Sequence, residues 1–260
     1  MNIGIMDSAL RVEWIDLFDV AAAIGFDGVE LGVGPDAEKT ELWSPEGRLA
    51  IQERAQRTGV EVASVCLHFF WKFSFAADDE ETVAKARELT EQACSYAEEV
   101  GARVILVPVT PGPEGLDPEE GRRRWIEQVT QVAVAAEECG VTLALENVGR
   151  GYGRSANELL EIVSAVDSAY VGVYYDIGNA TAFGFNPAEE IAALRDLIAQ
   201  VHTKEREAEL LGEGVVKHAE ALEALRKVDF DGYIVCETAP TDDPQAAARH
   251  NLEFLRKLVD

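Results

Sequence analysis

Four polar residues each stand at the end of an apolar, largely β-branched run. V-T-L-A-L-E delivers Glu146, V-G-V-Y-Y-D delivers Asp176, I-A-Q-V-H delivers His202 and Y-I-V-C-E delivers Glu237. Acidic side chains are depleted from strands, and a carboxylate closing a buried run needs a partner to offset its desolvation. Three carboxylates brought together repel one another and take up protons unless a cation lies between them. Two glutamates, an aspartate and an imidazole make a mainly hard, oxygen-rich donor set. That set favours Mn²⁺, Mg²⁺ or Co²⁺ and admits Zn²⁺, whereas a closed structural zinc site would draw on cysteine. One divalent ion held by Glu146, Asp176, His202 and Glu237 is therefore the expectation. The alternative is that each residue makes its own hydrogen bond or ion pair at a strand end.

Convergence depends on the elements between them. The four endings lie 30, 26 and 35 residues apart, so each gap has room for a loop, a helix and the next strand. The first half of the chain alternates in the same way. Strands are predicted at Met1–Met6, at F-D-G-V-E-L-G with Glu30 near its exit, at V-E-V-A-S-V-C-L-H ending on His68, and at Arg103–Val109. Helical spacing of apolar residues covers 13–24, where Gly25 closes the helix, and a further helix starts at Pro45 and runs to about Arg57. Helices are predicted over 79–100, about 118–139, about 156–166, from Pro187, about 216–227 and about 243–258, while 177–186 reads as a loop. Eight strand-then-helix units in 260 residues, with no linker or shift in composition, predict a single α/β domain over 1–260 with the (β/α)8 TIM-barrel architecture. A doubly wound open sheet is the competing fold, but no G-x-G-x-x-G follows the first strand. In a barrel all strand C-termini share one rim, and residues ending strands five to eight are neighbours there.

Composition narrows the partners. A net charge of −25 repels nucleic acid and anionic membranes, so neither is expected to bind. No apolar window reaches the ~18 residues of a membrane span. The start, M-N-I-G-I-M-D-S, lacks the features of a signal peptide. Cys66, Cys94, Cys139 and Cys236 are scattered without a C-x-x-C pair, which suits reduced thiols and a cytoplasmic location. F-F-W-K-F-S-F puts five aromatics into the seven positions 69–75, to serve as a buried plug or as a wall facing a ligand. The glycine-rich G-R-G-Y-G-R after Glu146 offers Arg150 and Arg154 as candidates for a phosphate contact.

The order E-N, Y-D-I-G-N, H-T-K-E, L-G-E-G and G-Y-I-V-C-E-T resembles the xylose-isomerase-like TIM barrels of the sugar phosphate isomerase/epimerase family. The resemblance covers most of the chain, and its specific motifs lie in the second half. It implies a metal-dependent isomerase or epimerase acting on a small ketose or ketose phosphate. The metal would lie on Glu146, Asp176, His202 and Glu237, with Glu146 and Glu237 doubling as acid/base groups on opposite faces of the substrate. A metal chelating the carbonyl and its neighbouring hydroxyl would stabilise the cis-enediolate formed on deprotonation, and one glutamate would return the proton that the other removed. A dehydratase of the inosose or dehydroshikimate type shares that enolate, and a sugar-binding barrel without turnover would keep the same donors. Barrels of this kind commonly pair, so a homodimer or homotetramer is admitted. Two positions depart from the epimerase pattern. Asn179 stands where a substrate-contacting histidine follows the metal aspartate, and Ala208 stands where an arginine follows the metal histidine, with Arg206 two places earlier. The substrate-contact candidates are therefore His68, Asn179, Arg206 and Glu30, the last of which could instead pair with a neighbour.

Overall fold

In the computed structural model, which describes residues 1–239 and 241–259, eight parallel strands hydrogen-bond in chain order and the last pairs with the first, closing the barrel. The strands are β1 (Asn2–Met6), β2 (Gly28–Gly32), β3 (Glu61–Cys66), β4 (Val104–Pro108), β5 (Thr142–Glu146), β6 (Val171–Asp176), β7 (Ile198–Thr203) and β8 (Tyr233–Cys236). Around them run α1 (Asp7–Leu10), α2 (Trp14–Ile24), α3 (Pro45–Thr58), α4 (Glu80–Glu99), α5 (Pro118–Cys139), α6 (Ala156–Val166), α7 (Ile177–Ala182), α8 (Pro187–Leu194), α9 (His218–Lys227) and α10 (Pro244–Val259). The eight alternating units thus fold as the barrel they predict.

Local chemistry sets the helix ends. Ser44 accepts from the Gly47 N–H ahead of Pro45, and Ser155 and Glu158 form a reciprocal capping box at the start of α6. Gly59 and Gly140 stop α3 and α5 with φ of 74° and 64°, a conformation costly for any residue with a Cβ. The apolar stripes of the helices pack on the outer faces of the strands. A second, smaller apolar layer fills the barrel itself, with Met6, Cys66, Leu106, Ala144, Tyr174 and Val235 buried there. Because strand side chains alternate, the residue two places before each polar strand ending lies one layer lower inside the barrel. Asp176 is level with His202, and Tyr174 with Gln200, across β6 and β7.

Several details differ from the sequence reading. Residues 177–182 are helical rather than loop, because the Asp176 side chain accepts from Asn179 N and caps the turn. β3 stops at Cys66, and His68 opens a 3₁₀ turn. The aromatic run divides its labour. Phe69, Phe70 and Phe75 are buried and cluster with Trp125, with ring centroids 4.8–5.5 Å apart, while Trp71 remains 50% exposed. The glycines of G-R-G-Y-G-R answer to packing: a Cβ on Gly151 would lie 1.5 Å from the Val109 carbonyl oxygen. All four thiols are free, and burial pushes those of Cys94 and Cys236 up to about 12. Among the described residues no helix is long and apolar enough to cross a membrane.

Candidate metal centre

Glu146, Asp176 and His202 come from β5, β6 and β7, and Glu237 follows β8 directly, its N–H still in the ladder through Thr203 O at 3.0 Å. One donor atom from each lies within 4.8 Å of the other three. His202 turns Nδ1 toward the cluster, 3.4 Å from Glu146 Oε1 and 3.4 Å from Glu237 Oε2. Asp176 and His202 form a buried floor, while Glu146 and Glu237 rise into a cleft of about 290 Å³ at the C-terminal rim. His68, Trp71, Phe183, Asn179, Lys204 and Arg206 are among the residues lining it. A wider groove of about 480 Å³ near Arg11, Glu209 and Asp243 lies apart from the cluster.

The electrostatics of the cluster call for positive charge. Burial pushes the Glu146 carboxyl up to about 7, and the neighbouring Glu237 adds to the rise. At Glu237 burial also raises the pKa, but the charges of His202 and Lys204 outweigh it and hold the carboxyl low. Burial opposes protonation of His202, yet Glu30 and Glu237 lift it well above the usual imidazole range. Asp176 Oδ2 is buried and accepts no hydrogen bond. Lys204 Nζ stands 2.6 Å from it as an ion-pair partner and also contacts Glu237 Oε2. An ammonium wedged between two of the four donors acts as a stand-in cation. That seat and the hard donor set together fit a divalent ion.

The four substrate-contact candidates have different surroundings. His68 lines the cleft, with Nδ1 3.8 Å from Cys66 Sγ. Arg206 also lines it, steered by Nε donating to Gly178 O at 2.9 Å and Nη2 donating to Asn179 Oδ1 at 2.7 Å. Asn179 commits its amide to that arginine and, through Nδ2, to Asn147 O at 2.9 Å. The expectation that Glu30 touches substrate is corrected. Glu30 is 0% exposed and lies beneath the floor, with one carboxylate oxygen facing His202 and the other accepting from Ser64 and Tyr174. Its alternative role, pairing with a neighbour, is the one it has.

Sequence reasoning does not single out Ser64, Tyr174 and Gln200, a polar layer inside an otherwise apolar barrel. The signal is present: Tyr174 and Gln200 precede Asp176 and His202 by two positions and so share their face. In the sequence Lys204 reads as part of a charged run, and Phe183 as part of a loop.

The chain is similar to known proteins over nearly its whole length. L-ribulose-5-phosphate 3-epimerase UlaE of Escherichia coli is 29% identical over 255 residues, covering 94% of this chain and 90% of that one. The structure of an E. coli 3-keto-D-glucoside 4-epimerase, YcjR, superposes with a TM-score of 0.87 at 22% identity, covering 99% of both chains. A D-tagatose 3-epimerase-like protein gives a TM-score of 0.85 at 26% identity, covering 99% of this chain and 98% of that one. The sequence model of the xylose isomerase-like TIM barrel matches residues 18–258. The chain belongs to the xylose isomerase-like TIM barrel family.

Proposed function

We propose that this protein is a divalent-metal-dependent epimerase of a small ketose or ketose phosphate, exchanging the configuration at C3 through a cis-enediolate. The observation that carries the reading is the meeting of Glu146, Asp176, His202 and Glu237 at the base of a cleft of sugar size. The names of its relatives, one a ketose-phosphate 3-epimerase, support the same choice. A bound cation, with Mn²⁺, Mg²⁺ or Co²⁺ best suited to the donors, would supply Lewis acidity toward a carbonyl and its adjacent hydroxyl.

The remaining work falls to the chain's own residues. Glu146 and Glu237 both line the cleft and converge on the same side of His202. One takes the proton α to the carbonyl and the other returns a proton to the opposite face, which inverts the centre. Trp71 and Phe183 offer apolar surface to the C–H face of a sugar, and Arg206 offers a charged donor to a hydroxyl or phosphate oxygen. The four free thiols suit a reducing compartment such as the cytoplasm.

Incubation in D₂O with a panel of free and phosphorylated ketoses tests the reading. The expected result is one deuterium gained at C3 with inversion there, abolished by chelator and restored by Mn²⁺. Loss of water from the substrate would make the protein a lyase. Binding without exchange across the panel would overturn the enzymatic reading.

A further inference from the structure

We infer that Glu30 is a positioning residue that fixes the His202 ring with Nδ1 toward the metal. The inference rests on the metal-centre reading. Glu30 Oε1 lies 2.7 Å from His202 Nε2, and Nε2 points away from the carboxylate cluster that Nδ1 faces. With the Nε2 proton donated to Glu30, the lone pair for a metal is on Nδ1. A carboxylate on the distal ring nitrogen sets both orientation and basicity of a ligand histidine.

Glu30 is itself held from three other strands. Its Oε2 accepts from Ser64 Oγ at 2.5 Å (β3) and from Tyr174 OH at 2.8 Å (β6). Gln200 Nε2 (β7) in turn donates to Ser64 Oγ at 2.7 Å and to Tyr174 OH at 3.2 Å, which directs both hydroxyl protons at Glu30. Tyr174 also meets the His202 ring edge-on, with centroids 4.5 Å apart. Every member of this group is buried, so a fully satisfied network fixes one ring orientation. An amide cannot replace the carboxylate here. In a Glu30→Gln protein with the amide oxygen facing His202, the NH₂ would meet two hydroxyl donors. With the NH₂ facing His202 instead, it would demand a lone pair on Nε2 and so place the ring proton on Nδ1, where the metal binds.

Calorimetric titration with Mn²⁺ of chelator-treated wild type, Glu30→Gln and Tyr174→Phe tests the inference, with the visible spectrum of the Co²⁺-loaded proteins as a second readout. Wild type should bind one ion, Glu30→Gln should bind about 10–100-fold more weakly, and its Co²⁺ ligand-field bands should shift. Tyr174→Phe should weaken binding by a smaller factor. Wild-type affinity and an unchanged Co²⁺ spectrum in a folded Glu30→Gln protein would overturn the inference. Should Glu30→Gln fail to fold, Tyr174→Phe decides, and unchanged Mn²⁺ affinity there would overturn it. If wild type itself takes up no ion, it is the metal-centre reading that falls.

Discussion

Glu146 and Glu237 differ only in their surroundings. One carboxyl is raised to about 7 with burial as the main cause, and the other is held low by His202 and Lys204 despite burial. Replacing either with glutamine keeps shape and removes proton transfer, so turnover should fall about 10²–10⁴-fold in each variant. A D₂O exchange assay at saturating Mn²⁺ checks this, and a variant near wild-type rate would clear that glutamate of an acid/base role. Arg206→Met should act differently, raising KM for a ketose phosphate about tenfold or more, because a charged donor worth ~1.5–3 kcal/mol is lost from the cleft. Equal loss for free and phosphorylated ketoses would assign Arg206 to a hydroxyl instead. At this scale the four converging residues are legible because a carboxylate or imidazole closing an apolar run is locally costly. Glu30 shows the same pattern, but its side of the floor is decided by register and by Ser64 and Tyr174, which lie far from it in sequence.

The segment between β7 and α9 carries Lys204 and Arg206, and the Glu205 carboxylate gathers its backbone from within. Glu205 accepts from Arg206 N at 2.9 Å, Gly212 N at 2.9 Å and Val216 N at 3.0 Å, and lies 3.1 Å from His218 Nε2. Burial raises the Glu205 pKa, but the three backbone N–H donors and His218 outweigh it, so the carboxyl is held below its ordinary 4.5. Its contribution to stability is present above pH 4.5 and lost as pH falls through the lowered value. Burial also lowers His218 from 6.5, so its neutral form favours the fold above that pH and its protonation weakens the fold below it. The His218 shift predicts a segment that loosens as pH drops below about 6.5, and the Glu205 shift adds a further loosening below 4.5. Glu205→Gln should cost about 2–3 kcal/mol in urea unfolding at pH 7 and should lose less than wild type on going to pH 4. An equally steep acid loss in the variant would contradict this account. The motif H-T-K-E is readable as a pattern, but the anchoring is three backbone contacts within a folded loop that no spacing rule reveals. Helix α7 escapes the sequence for a related reason: a run of six residues is too short for periodicity to register, and its capping comes from Asp176, a residue already assigned to another task.

The barrel as a whole is the most legible feature, since eight alternations of strand and helix admit few closed arrangements. What stays hidden in the sequence is the interior, where Tyr174 and Gln200 interrupt apolar runs without changing their strand character. A chain carrying −25 net charge, with three carboxylates meeting at its rim, should gain stability from a bound cation. At one hundred times its dissociation constant, Mn²⁺ should add ~2.7 kcal/mol and raise the unfolding temperature by about 5–10 °C in scanning calorimetry. Chelator should reverse the gain, and an unfolding temperature insensitive to every divalent ion would count against the centre. The most direct test is anomalous diffraction from crystals soaked in Mn²⁺. One strong peak per chain is expected, in contact with Glu146, Asp176, Glu237 and Nδ1 of His202. A peak elsewhere, or none at that position, would contradict the metal centre.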